Sequence, residues 1–193
     1  MMLRSVQSSI AVAFLTLLSI LSGEALANDA LWKTLKTGNH FVLIRHAFAP
    51  GGGDPDNINV EDCSTQRNLN DEGRDQARSI GKQFRENGID AALVYSSQWC
   101  RCLDTAELLK LVSAQELPSL NSFFEYRERD EEQTRETRNW VVAAPLEQPT
   151  VLVTHFVNIL SLMGIGTGSG ELVFVRRNAD GGFSVIGTIE TPY

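Results

Sequence analysis

Two histidines follow two short apolar runs at equivalent points of the chain. Phe41-Val42-Leu43-Ile44-Arg45-His46 and Thr150-Val151-Leu152-Val153-Thr154-His155 each read as a buried strand ending on a side chain that can attack or carry a proton. In open α/β sheets, ligands bind just beyond the carboxyl ends of such strands. The chain has three histidines, and two of them fall at that edge. Arg45 precedes one, and Arg101 lies on the helix expected after the next strand. Arg45 and Arg101 concentrated there would make a locally positive pocket suited to an anionic substrate. His40 precedes its strand on the opposite edge and is expected to be inert.

The elements that must position these groups alternate. Asn70 is a good N-cap for a helix with Ala77, Ile80 and Phe84 on one face, ending near Asn87-Gly88. Ala92–Ser96 is a second strand, and Ser97 opens a helix whose buried side is Leu103, Ala106 and Leu109–Leu111. Glu116-Leu117 forms a short strand stopped by Pro118, Asp130–Val142 a charged helix, and Asn158–Met163 the start of another. Leu172–Arg176 and Phe183–Ile189 flank the turn signal Asn178–Gly182 and form a hairpin. This order predicts an α/β fold, a three-layer α/β/α sandwich with a mainly parallel sheet.

Between the first strand and Asn70 runs a long polar loop. Its Gly51-Gly52-Gly53-Asp54-Pro55-Asp56 stretch cannot be regular structure and is expected to be a mobile lid or disordered. It lacks the Gly-Lys-Ser/Thr of a phosphate-binding loop. Asn59 stands where a calcium loop started by Asp54 and Asp56 requires glycine, which excludes that site. Arg67, in the same loop, is expected in a surface salt bridge, with contact to the substrate as the alternative.

The first residues are set apart from the fold. Arg4, the apolar stretch Ile10–Leu21 and the Ala25-Leu26-Ala27 triplet form a secretory signal peptide, residues 1–27, with an apolar core too short for a membrane span. The mature chain is expected to be one domain over residues 28–193, periplasmic or secreted. Its net charge of −7 argues against nucleic acid or an anionic membrane as partner. Three cysteines in an oxidising compartment suggest one disulfide and one free thiol. Cys100 and Cys102 point to opposite sides of a helical turn, so only one can meet Cys63. Cys63–Cys100 is favoured over Cys63–Cys102, and three unpaired buried thiols are the alternative.

Four segments, in order, resemble the motifs of the histidine phosphatase superfamily, the phosphoglycerate-mutase-like fold. Leu43-Ile44-Arg45-His46-Ala47 is similar to its Arg-His-Gly signature, and Asn68–Ala77 to the helix start after its first loop. Tyr95–Ala106 is similar to its Ser-Pro-x-x-Arg-x-x-x-Thr-Ala segment, and Val153-Thr154-His155 to its second histidine. The resemblance implies that His46 attacks phosphorus and becomes a phosphohistidine, which water hydrolyses. It implies that Arg45 and Arg101 clamp the phosphate bidentately and that His155 donates a further hydrogen bond. Metals and cofactors are then unnecessary, and the partner is a small phosphorylated substrate.

The departures fall at the acid. Ala47 replaces the usual glycine, Leu120-Asn121-Ser122 carries serine where one branch has glutamate, and His155-Phe156 replaces the His-Asp of another, although Asn158 matches that branch's asparagine. The nearest carboxyl is Glu125, with Glu128 behind it, and Glu125 is the expected proton donor. The leading expectation is a phosphatase acting on a phosphomonoester, with a cell-envelope sugar phosphate as its substrate. The competing class is a non-catalytic phosphate-binding envelope module that kept the arginines.

Overall fold

Alternation along the first strand sets the layering. The computed structural model describes residues 26–193, so the predicted signal peptide lies outside the described residues except for its last two. In β1 (His40–Arg45), Phe41 and Leu43 enter one apolar cluster, and Val42 and Ile44 enter another. A strand buried on both faces needs helices on both sides.

Beside β1 lie β2 (Leu93–Ser96), β3 (Gln115–Glu116), β4 (Thr150–Thr154), β5 (Leu172–Arg177) and β6 (Phe183–Ile189), in the order β3-β2-β4-β1-β5-β6. The first four of that order pair in parallel, and β5 and β6 are added antiparallel at the other edge. The predicted three-layer, mainly parallel sandwich is what forms. One face is covered by α1 (residues 26–34), α2 (Asp71–Glu86) and α3 (Cys100–Leu108), which contribute Trp32, Ile80, Phe84 and Ala106. The other is covered by α4 (Asp130–Ala143) and α5 (Phe156–Met163) through Val141, Ile159 and Leu162. Each of the larger of these side chains contributes about 1.5–3 kcal/mol by leaving water. Among the described residues no helix is long and apolar enough to cross a membrane.

Local chemistry sets where the helices begin. Asn70 caps α2, its Oδ1 accepting from Gly73 N–H at 2.9 Å, and Asp71 and Glu72 in the first turn complement the helix dipole. Gly73 is required by packing, since a Cβ there would lie 1.9 Å from the Phe48 carbonyl oxygen. Ser97 does not open α3. Its hydroxyl accepts the Trp99 N–H at 3.2 Å in a turn, and the helix starts only at Cys100. The helix α5 starts directly after His155, earlier than predicted. The helix α1 was not predicted at all. Its Trp32 packs edge-on between Phe84 at 4.8 Å and Phe174 at 5.1 Å.

Candidate active site

Parallel pairing of β1 with β4 sets Arg45 opposite Thr154, so the next residue of each strand leaves the sheet at the same edge. Those residues are His46 and His155, and their ring centroids stand 5.4 Å apart. Ala47 continues from His46 with no left-handed backbone, so the alanine in place of glycine is unstrained, and its methyl packs with Ala49, Leu69 and Ala77.

Hydrogen bonding assigns the protons of both rings. A carbonyl only accepts, so His46 Nδ1–H donates to the Ala47 carbonyl at 2.8 Å, leaving the lone pair on Nε2. Burial first, then the Arg101 guanidinium, holds the His46 pKa well below the ordinary histidine value, so the ring is neutral. His155 has the opposite tautomer. A guanidinium only donates, so His155 Nδ1 accepts from Arg101 Nη2 at 3.3 Å, and its Nε2–H donates to Ser97 Oγ at 2.9 Å. Ser97 in turn donates to Asn121 Oδ1. Burial, followed by Arg101 and His46, also pushes the His155 pKa well down. The predicted hydrogen bond from His155 to phosphate therefore requires a proton that this ring lacks in the free protein.

Arg45, His46, Arg101 and His155 line one pocket of about 170 Å³, together with Gly51–Asp54, Arg67, Ser122, Phe124 and Phe156. Arg45 Nη1 donates to the Thr167 carbonyl at 2.7 Å, and its guanidinium stands over the Phe156 ring at 5.5 Å. Arg45 Nε and Arg101 Nε are buried with no partner among the described residues. Unpaired buried donors carry a desolvation cost, and an oxyanion between them removes it.

Two expectations about the first loop are corrected. The Gly51–Asp56 stretch is not free, because the Asp54 carboxylate is bound bidentately by Arg101 at 2.7 and 2.9 Å. Among the described residues Arg67 makes no surface ion pair. It lines the pocket, half-buried, donating from Nε to the Gly53 carbonyl and from Nη1 to the Ala49 carbonyl. Neither residue carried a periodic signal; Asp54 in a Gly/Pro/Asp run looks like turn chemistry. The loop is anchored by the Cys63–Cys100 disulfide and by Cys100 N–H donating to Gln66 Oε1. Cys102 is the free thiol, and complete burial pushes it up to about 12.

Glu125 lies outside the pocket wall. It is exposed, with its Oε1 against Gly53, where a Cβ would come within 2.8 Å of it. Glu128 is exposed on a separate surface groove of about 600 Å³ along α4, which holds no histidine. Asn158 donates to the Asn121 carbonyl and so supports the pocket from behind. Among the described residues no three His, Cys, Asp or Glu side chains cluster to hold a metal ion.

The model of the histidine phosphatase superfamily (branch 1) matches residues 41–154. No curated protein matches the chain. Among solved structures, the protein histidine phosphatase SixA complexed with tungstate is similar at 16% identity and TM-score 0.55, covering 78% of this chain and 96% of its own. The mycobacterial glucosyl-3-phosphoglycerate phosphatase Rv2419c is similar at 15% and 0.56, covering 76% and 96%. The open reading frame Rv3214 product from Mycobacterium tuberculosis is similar at 14% and 0.60, covering 80% and 97%. At these identities the likeness is one of fold.

Proposed function

The chain belongs to the histidine phosphatase superfamily, branch 1, and on that premise we propose that it hydrolyses a phosphomonoester through a phosphohistidine formed on His46. One observation carries the reading. The Nδ1–H bond to Ala47 leaves the Nε2 lone pair as nucleophile, in a pocket holding two orphaned guanidinium donors. Nε2 attacks phosphorus, the P–O bond to the leaving group breaks, and the electron pair departs on that oxygen. Glu125, on the rim beside Gly53, supplies its proton. Water then attacks the phosphohistidine, giving its proton back to Glu125, and the P–N bond breaks to release orthophosphate and neutral His46.

Arg45, Arg67 and Arg101 supply the positive charge around the equatorial oxygens, and the proposed reaction needs no metal or cofactor. For the substrate we propose a cell-envelope sugar phosphate, met in the periplasm or outside the cell after cleavage behind Ala27. Two exposed rings at the pocket support a leaving group with an apolar face, since Phe124 is 47% and Phe156 37% exposed. The test is turnover of 4-nitrophenyl phosphate and of a panel of sugar phosphates in the presence of EDTA. Turnover that is insensitive to EDTA and blocked by orthovanadate is expected. Orthophosphate binding without any turnover would instead establish the non-catalytic phosphate-binding module.

A further inference from the structure

Every terminal hydrogen of the Arg101 guanidinium is already used inside the protein. Nη1 donates to Asp54 Oδ1 at 2.7 Å and to the Arg67 carbonyl at 3.3 Å. Nη2 donates to Asp54 Oδ2 at 2.9 Å and to His155 Nδ1 at 3.3 Å. Four hydrogens meet four acceptors, and only the buried Nε–H is left over. The Asp54 carboxylate thus lies in the fork that would otherwise hold two phosphate oxygens in parallel. It is held on its other sides by Trp99 Nε1–H at 3.1 Å and by the Arg67 backbone N–H at 3.3 Å. Both partners are nearly sealed from water, the Arg101 side chain 3% and the Asp54 side chain 7% exposed.

The segment leading to Asp54 carries no side chains of its own and is held chiefly by one Arg67 Nε–H bond to the Gly53 carbonyl. Gly51 and Gly53 have φ of +89° and +66°, and Gly52 has nothing within 4 Å of a Cβ position. These three glycines form a wall of the pocket itself, so a shift of Asp54 changes the site directly.

We infer that Asp54 is an internal occupant of the oxyanion site and a specificity-determining residue, whose carboxylate the substrate phosphoryl group must replace on Arg101. The inference rests on the phosphatase reading of this pocket. A carboxylate offers one charge and two coplanar oxygens. A phosphomonoester offers nearly two charges near neutral pH and three terminal oxygens. Two of these oxygens match Arg101 as Asp54 does, and the third is free for the orphaned Arg45 Nε–H. A phosphodiester, with one charge and two free oxygens, gains little over the carboxylate it displaces. The internal anion therefore selects monoesters over diesters, and its release swings the glycine segment outward.

Asp54→Asn tests this, because the amide keeps the shape, loses the charge and sets an NH₂ group against a guanidinium nitrogen. Inhibition by orthophosphate is expected to tighten at least fivefold relative to wild type. The preference for 4-nitrophenyl phosphate over bis(4-nitrophenyl) phosphate is expected to shrink. Inhibition that is unchanged or weaker overturns the inference and leaves Asp54 as a prop for Arg101. A variant that does not fold is bypassed by a crystal structure of the wild type with orthovanadate. Asp54 withdrawn from Arg101 supports the inference, and Asp54 still bidentate beside bound vanadate overturns it. If neither wild type nor variant binds orthophosphate, the phosphatase reading fails and this inference falls with it. If wild type binds and the variant binds no tighter, this inference fails alone.

Discussion

His46 and His155 are both neutral, but for a shared reason they carry their protons on opposite nitrogens. Each ring faces Arg101 or its field, and each has a fixed acceptor for its one N–H, the Ala47 carbonyl for one and Ser97 for the other. Both pKa values are lowered chiefly by burial. In the unfolded chain a histidine titrates near 6.5, so above that pH neither state takes up these protons and stability is unaffected. As the pH falls below about 6.5 the unfolded chain binds protons that the folded protein refuses. Stability then drops by up to about 1.4 kcal/mol per pH unit for each ring, until the folded values are reached. Urea midpoints are expected to be level from pH 8 to 7 and to fall toward pH 5, with His46→Gln removing about half the fall. A flat profile would show that the rings titrate freely.

Glu125 is the other residue whose role rests on proton supply. Glu125→Gln should slow alkyl phosphates about a hundredfold while leaving aryl phosphates, whose leaving oxygen needs little help, nearly unchanged. Equal slowing of both classes would remove Glu125 from the reaction. Arg45, His46, Arg101 and His155 were legible in the sequence because each lies at the end of a periodic element, where the next residue's position follows from the strand or helix. Asp54 was not, and a place for Arg67 at the site was only the lesser of two expectations. Their places depend on contacts across the fold, to Arg101, Trp99 and Ala49, that no local pattern encodes.

Among the elements, those with a cap and a periodic face were read well. The helix α2 begins beside Asn70 as its side chain requires, and β1 and β4 fall within a residue of their apolar runs. The start of α3 was misplaced because Ser97 spends its hydroxyl on a turn and on His155 rather than on a helix. The first loop is an element of its own, tied to the opening turn of α3 by Cys63–Cys100 across a separation of 37 residues. In the chain-entropy model that closure is worth about 4 kcal/mol. The Cys63→Ser/Cys100→Ser double variant is expected to lose 3–4 kcal/mol of unfolding free energy in urea titrations. It should also bind orthophosphate more weakly, since the loop carries Arg67 into the pocket. A loss below about 1 kcal/mol would mean that packing alone holds the loop.

For the molecule as a whole, the sandwich was legible because β-α alternation leaves few ways to bury strands that are apolar on both faces. The helix α1 escaped because it overlaps the end of the predicted leader and only Trp32 in it and Leu35 just after it are fully buried, too few to mark a face. Its packing has a consequence for export. Cleavage behind Ala27 keeps Trp32 in the mature chain, whereas removal through residue 36 would empty its place between Phe84 and Phe174 and cost about 3–5 kcal/mol. N-terminal sequencing of the exported protein is expected to begin at Asn28; membrane-bound protein still starting at Met1 would overturn the assignment.

The covalent intermediate on His46 escapes acid quenching, because phosphohistidine is lost in acid. Rapid mixing with a ³²P-labelled aryl phosphate followed by alkaline quench and peptide mapping tests it most directly. An alkali-stable, acid-labile phosphoryl group is expected on the peptide containing His46, approaching one per chain when water attack is slow, and none in His46→Ala. Label on another residue, or a His46→Ala variant that keeps more than a tenth of wild-type turnover, would contradict it.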